Sequence, residues 1–206
     1  MTWYYWLALA SLAINVGILL IHIFRLTNSG KPIDFSQRRG RLSPAIAFAF
    51  GGAMSPTRKE SAFLHLPTYI TGIFYHLGTF AAIFLFFFKL AQIPVNQSLS
   101  PFFSGFFIIS ALSGIGIILK RLFVKRLRGL SNPDDYISNI LVTLFQIFSV
   151  LILSDDSWIS AYYIVVSLLL LYIPVGKLKH AVYFFGARYH LGYFYGWRDV
   201  WPPKKY

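Results

Sequence analysis

The chain has 206 residues, of which 56% are hydrophobic, 19% are aromatic and only 13% are charged. Soluble domains average about 25% charged residues, so this composition indicates an integral membrane protein. The absence of cysteine excludes iron–sulfur ligation, c-type haem attachment, disulfides and thiol catalysis by this chain. The net charge of +12 comes from basic residues between apolar segments, a pattern of membrane topology rather than of nucleic-acid binding.

Five apolar segments are predicted to cross the membrane: residues 3–24, 62–88, 102–119, 136–153 and 158–175. The fifth helix is expected to continue beyond the lipid as far as His190. A shorter apolar stretch, residues 45–54, is predicted to lie at the interface against helix ends. Because no polar block is long enough for a second domain, residues 1–206 are predicted to form one membrane-embedded domain.

Basic residues predict the orientation of these segments. Lysine and arginine are concentrated in the first loop, the third loop and the C-terminal tail, whereas the second and fourth loops hold only Lys89. Cytoplasmic loops carry this excess of basic residues. The sequence therefore predicts an all-α bundle of five transmembrane helices, with its N-terminus outside and its C-terminus cytoplasmic. The expected location is the cell inner (cytoplasmic) membrane.

The second apolar segment, Ser61–Phe88, carries two histidines. An ionisable side chain in lipid is costly and indicates a functional site. His65 and His76 are eleven residues apart, so on one helix they would point within about 20° of each other, about 16 Å apart along the axis. Tyr69 and Gly72 lie between them on that face, and the glycine leaves room for a flat ligand to approach the backbone.

Two further histidines, His180 and His190, follow the fifth segment. In the predicted topology the second and fifth helices are antiparallel, so His76 can face His180 and His65 can face His190. Paired imidazoles on facing helices are axial ligands for haem b. The pattern therefore predicts one or two haems.

The second pair has a geometric weakness, because ten residues turn an ideal helix so that His190 points about 80° away from His180. A bend or a supercoil of the helix would absorb this offset, and Gly186 and Gly192 favour a bend. Haem propionates also require cations at the interface, and the available ones are Lys177, Lys179, Arg188, Arg58 and Lys59.

A competing interpretation is a non-redox scaffold or transporter subunit whose histidines bridge helices through hydrogen bonds. A metal transporter is disfavoured, because the apolar segments hold almost no carboxylate to accompany the imidazoles. His22, near the end of the first segment, is interpreted as an interfacial or hydrogen-bonded residue.

Two short motifs mark the fifth and second segments. Residues 174–180 read PVGKLKH, and residues 74–78 read FYHLG. Both resemble the family of the respiratory nitrate reductase gamma subunit, which includes heterodisulfide reductase-type cytochrome b subunits. The resemblance implies a five-helix, N-out cytochrome b in which His76 and His180 ligate the haem nearer the cytoplasm.

The same resemblance places the ligands of an outer haem near Phe86 and Tyr162, and neither is histidine, which implies that this haem is missing. A second haem on His65 and His190 would instead lie at the cytoplasmic membrane face, shielded by residues 45–54 or by a partner subunit.

The expected function is electron transfer between membrane quinone or menaquinone and cytoplasmic iron–sulfur subunits of a respiratory complex. The substrate chemistry would then belong to those partners. Two clusters are candidates for the quinone site. The outer one comprises Asp155, Asp156, Trp158 and Tyr162, and the inner one pairs His22 with Tyr69.

Overall fold

The computed structural model describes residues 2–28, 35–58 and 64–203, and every regular element in these ranges is helical. The helices are α1 (Trp3–Asn28), α2 (Leu42–Phe50), α3 (Leu66–Leu90), α4 (Ser100–Phe123), α5 (Lys125–Leu130), α6 (Pro133–Ser154), α7 (Ile159–Tyr172) and α8 (His180–Trp197). Short 3₁₀ turns cover Gly52–Met54, Pro56–Arg58, Asp156–Trp158 and Lys177–Lys179.

Four of these helices, α1, α3, α4 and α6, are long and apolar enough to cross a membrane, and α7 with α8 adds a fifth if this broken pair forms one span. Large apolar side chains on the long helices stay exposed: Phe80 is 57%, Phe84 67% and Phe102 70% exposed. Such a surface is unfavourable in water and favourable against acyl chains. The chain is therefore a multi-pass helical membrane protein.

The chain divides into two units. The first comprises Met1–Gly17 and Pro67–Leu178, and the second comprises Ile18–Leu66 and Lys179–Tyr206. Helix α1 therefore contributes its N-terminal part to the first unit and its C-terminal part to the second.

Close approach of α3, α4 and α6 organises the first unit. A Cβ atom on Gly78 of α3 would overlap Ser110 of α4, and one on Gly114 of α4 would lie 2.5 Å from the ring of Tyr75. Ser110 is fully buried and donates a hydrogen bond to backbone carbonyls of α3 at 3.2 Å. Small residues at these positions let the helix backbones come close enough for such contacts.

Aromatic packing joins the N-terminal part of α1 to the same unit. Tyr4 stacks on Tyr163 of α7 with ring centroids 5.8 Å apart, and Tyr5 donates a hydrogen bond to the carbonyl of Leu90 at 3.1 Å. Ala8 is fully buried in the apolar core that these helices share.

The histidine-bearing helix α3 begins at Leu66, later than the sequence predicted. Pro67 lies in its first turn, where the missing N–H of proline leaves no hydrogen bond broken. Residues 61–63 of the predicted segment lie outside the described residues, and His65 lies in a turn before α3. The prediction that His65 and His76 lie on one helix is therefore wrong.

The fifth predicted helix is also interrupted, because α7 ends at Tyr172 and α8 begins only at His180. The ring of a proline clashes with the carbonyl four residues earlier, so an α-helix does not pass through Pro174 undisturbed. The amides of Val175 and Gly176 instead bond the Tyr172 carbonyl at 3.2 and 2.8 Å. Helix α8 then runs without a break through Gly186 and Gly192.

In the second unit, α2 packs against the C-terminal turns of α8. A Cβ atom on Gly192 would lie 2.6 Å from the Cα atom of Ile46, and one on Gly196 would lie 2.5 Å from the Cβ atom of Ala45. Ala45 and Ala49 are fully buried. The short apolar segment predicted to pack against helix ends therefore lies on a glycine-lined face of α8.

Gly114→Ala should destabilise the first unit, because the added methyl group meets the ring of Tyr75 and the hydroxyl of Thr143. Overpacking of this kind costs about 1–3 kcal/mol of unfolding free energy. Gly116→Ala, on the same helix, is the matched control because its Cβ atom would lie more than 4 Å from every atom in the described part of the chain. Thermal unfolding in detergent measures both variants, and equal midpoints would contradict the close packing of α3, α4 and α6.

Candidate functional site

A hydrogen-bond network sets the rotation of α3. The Tyr75 hydroxyl donates to the carbonyl of Asn139 at 3.0 Å, and Gln146 Nε2 donates to the carbonyl of Tyr75 at 3.1 Å and to Thr79 Oγ1 at 2.9 Å. Adjacent helical residues point about 100° apart. Holding Tyr75 against α6 therefore turns the next residue, His76, to a position where its side chain is exposed.

The face of α3 around His76 is open. Gly72 lies one turn before His76, and no atom of the described residues would lie within 4 Å of a Cβ atom on Gly72. Tyr69, almost one further turn along, is half-buried on the same side. An imidazole beside an uncovered stretch of backbone fits the edge of a flat macrocycle, which is the role that the sequence predicted for these residues.

His180 and His190 both lie on α8, and both side chains are exposed. His180 is the first residue of α8, and the ring of His190 lies edge-on to Tyr189 at 5.8 Å. Since α8 is unbroken, the two imidazoles are about 15 Å apart along its axis and keep the offset of about 80°.

Helix α2 does not cover His190. Gly192 faces α2. His190 is two positions earlier, which is about 200° of rotation around the helix, so it lies on nearly the opposite side of α8. The shielding that residues 45–54 were predicted to give a second haem is therefore wrong, because the glycine face of α8 is the one that accepts close packing.

The predicted propionate cations are held in different ways. Lys177 forms an ion pair with Asp135, which is buried and also lies 3.4 Å from Arg121. The guanidinium carbon of Arg188 lies 5.5 Å from the ring centre of Phe184, and that of Arg58 lies 5.1 Å from the ring centre of Phe48. Lys59 lies outside the described residues.

The ion pair of Lys177 is a structural feature that the sequence analysis missed. Asp135 also completes a capping box with Asn132 at the start of α6. The sequence signal for this capping box is an asparagine followed three residues later by an aspartate, before a long apolar run. Lys177, three residues before His180 in the PVGKLKH motif, therefore forms an ion pair with the first turn of α6.

The four predicted outer quinone residues each have a separate structural partner. Asp156 pairs with Lys89 at 3.2 Å, and Trp158 packs edge-on against Phe148. Hydrogen bonds from Ser157 lower the pKa of the Asp155 carboxyl in the turn between α6 and α7.

Tyr162, the fourth outer residue, is fully buried, and so is Phe86 at 3% exposure. The ring of Phe86 lies 6.5 Å from that of Tyr163, and the ring of Tyr162 lies 6.1 Å from that of Phe145. The two positions that the resemblance assigns to outer-haem ligands are therefore part of an aromatic core.

His22, the inner quinone candidate, belongs to the second unit. Its Nδ1 atom lies 3.2 Å from the hydroxyl of Tyr183, and the two rings meet edge-on at 6.0 Å. The interpretation of His22 as a hydrogen-bonded residue is confirmed. Its predicted companion Tyr69 belongs to the first unit.

Within the described ranges, no group of three or more histidine, aspartate or glutamate side chains is placed to hold a metal ion. An axial haem site needs only two imidazoles. No family model, curated protein or solved structure matches this chain. The resemblance carried by residues 74–78 and 174–180 therefore stays a prediction.

Tyr75→Phe should weaken the packing of α3 against α6, because it removes the hydroxyl that bonds Asn139. Hydrogen bonds between membrane helices average about 0.6 kcal/mol and reach about 1.7 kcal/mol, so we expect a loss of about 1 kcal/mol in unfolding free energy. Tyr136→Phe removes a hydroxyl from a half-buried tyrosine on α6 outside this network and is the control. Unfolding in mixed micelles checks both, and an equal response would rule out this role for Tyr75.

Proposed function

We propose that this chain is a haem b-containing membrane subunit that transfers electrons between membrane quinone or menaquinone and cytoplasmic iron–sulfur subunits. The observation that carries the proposal is the face of α3 on which exposed His76 stands beside the open backbone of Gly72. Ionisable residues in transmembrane helices usually serve a functional site. Gly72 has no side chain, so its backbone is accessible to the close approach of a flat ligand.

The axial ligands in this proposal are His76 and His180, and His65 and His190 are the candidates for a second haem. A bound bis-histidine haem b supplies reversible one-electron transfer. Tyr69 and Gly72 border the ring, and Arg188 neutralises a propionate.

Lys177 has a different role in this proposal from the one that the sequence predicted. Its ion pair with Asp135 holds the turn that leads into His180, so it positions a ligand through the backbone. A carboxylate partner already occupies its ammonium group, which makes Arg188 the better propionate partner.

The proposed topology has five spans, an outer N-terminus and a cytoplasmic C-terminus in the cell inner membrane. It counts α7 and α8 as one broken span and follows the excess of basic residues in alternate loops. Since the chain has no cysteine, any iron–sulfur cluster must belong to partner subunits.

A non-redox scaffold or transporter subunit is the second candidate. It is favoured by the fact that other polar side chains in the apolar helices join helices through hydrogen bonds: Gln146 donates to the Tyr75 carbonyl, and Asn139 Oδ1 accepts from the Tyr75 hydroxyl. In that case the histidines would have the same bridging role.

Visible spectroscopy separates the two candidates. We expect a dithionite-reduced minus oxidised spectrum of b type from the purified chain, with one or two haems per polypeptide. His76→Leu and His180→Leu should abolish the signal of the first haem, and His65→Leu or His190→Leu should remove only a second one.

His22→Leu is the control variant, because His22 already bonds Tyr183 in the second unit. Folded, haem-sufficient protein without a b-type spectrum would reject the cytochrome and favour the scaffold or transporter.

Gly72→Leu tests whether the open face of α3 is the binding surface. At its Cβ position the new side chain meets no atom of the described residues, so folding should be preserved while haem content per chain falls severalfold. Gly105→Leu on α4 is matched, because its Cβ atom also meets nothing within 4 Å. Equal haem content in the two variants would remove this face of α3 from the site.

A further inference from the structure

Three arginines converge on one pocket of the second unit. Arg38, Arg39 and Arg41 line an open cavity of about 510 Å³, and Asp199 and Trp201 from the C-terminal end of the chain also line it. Pockets that hold small ligands typically measure about 300–1,000 Å³. Neither the histidines nor the proposed electron transfer uses this cavity.

Backbone contacts hold the arginine segment in place. The amides of Arg39 and Gly40 donate to the carbonyl of Trp197 at 2.8 and 3.3 Å, and the indole of Trp197 donates to the carbonyl of Ser36 at 2.8 Å. A Cβ atom on Gly40 would lie 2.8 Å from the Cα atom of Asp199, so only glycine allows this approach. The segment is thus fixed to the end of α8 without using its guanidinium groups.

The pocket has an excess of positive charge. Among the described residues, its lining has three arginines and one acid, Asp199, and the ion pairs in this part of the chain do not include any of the three arginines. Arg38 uses its Nε atom to bond the carbonyl of Gly40 at 3.1 Å, which leaves its terminal nitrogens as donors. Clustered guanidinium groups repel one another, and a bound anion relieves this repulsion.

We propose that this pocket binds the phosphate of an anionic phospholipid headgroup. The planar guanidinium fork matches phosphate oxygens in pairs, and basic pockets on membrane proteins bind such headgroups. Phe35, three residues before Arg38, is 90% exposed, and Val200, between Asp199 and Trp201, is 50% exposed, so both apolar side chains are available to acyl chains. This apolar flank favours a lipid over free phosphate.

The test compares lipid retention by the full-length chain after delipidation in detergent. Phosphatidylglycerol and phosphatidylcholine are titrated separately, and bound lipid is counted by native mass spectrometry. Replacing Arg38, Arg39 and Arg41 together by glutamine should weaken phosphatidylglycerol binding at least about tenfold, because each charge-assisted hydrogen bond contributes about 1.5–3 kcal/mol. Binding of phosphatidylcholine should not change.

The control replaces Lys125, Arg126 and Arg128 of α5 by glutamine, which removes the same charge from an exposed basic helix. Retention of phosphatidylglycerol by this variant should stay within about twofold of the parent, because general surface attraction is screened by salt. Equal losses in the two triple variants would overturn the pocket, and so would equal affinity of the parent for the two lipids.

Competition with inorganic phosphate distinguishes a site for a lipid headgroup phosphate from a site for free phosphate. If millimolar phosphate displaces phosphatidylglycerol fully and binds the delipidated chain as tightly, the site takes free phosphate and the lipid assignment fails. Should the triple variant not fold, Arg38→Gln alone still tests the proposal. That side chain is exposed, and its removal should lower phosphatidylglycerol affinity severalfold.

Discussion

The packing of Tyr75 between α4 and α6 is the contact on which the first unit depends. Its ring closes against Gly114, its hydroxyl bonds Asn139, and its carbonyl accepts from Gln146. In a membrane the lipid offers no hydrogen-bond partner and little hydrophobic drive for helix association, so close packing and satisfied polar groups decide the arrangement. The same contacts determine which residues of α3 face outward, among them His76.

Proline and an ion pair together shape the chain before His180. Pro174 ends α7, and the turn through Gly176 leads to Lys177, which reaches the buried carboxylate of Asp135. Asp135 is buried and Lys177 is one of its two cationic partners, with Arg121, so the pair favours this path of the chain.

The second unit shows how a short apolar helix is accommodated next to basic loops. Helix α2 is too short to span a bilayer, and it buries Ala45 and Ala49 on the glycine face of α8. The chain before it is tied to Trp197 by backbone hydrogen bonds. This arrangement places three neighbouring arginines, Arg38, Arg39 and Arg41, beside the C-terminal end of α8. In the sequence they are only part of a basic loop, whereas in the structure they line a pocket.

The sequence by itself determined the helical, multi-pass character of the chain, because long apolar runs with few charges allow little else in lipid. It also identified His76 and Gly72 as neighbours on one helix face, since local periodicity sets that relation. Pro67 indicates the start of α3, and Pro174 indicates the break before α8, whereas hydropathy alone extends through both positions.

Only the tertiary structure decided the partners of Lys177, the buried position of Tyr162 and the glycine face of α8 that α2 occupies. These features join residues that are far apart in the chain, and composition and periodicity carry no information about such contacts. The convergence of Arg38 and Arg39 with Trp201 is of the same kind, because it depends on how the end of one helix meets a distant loop.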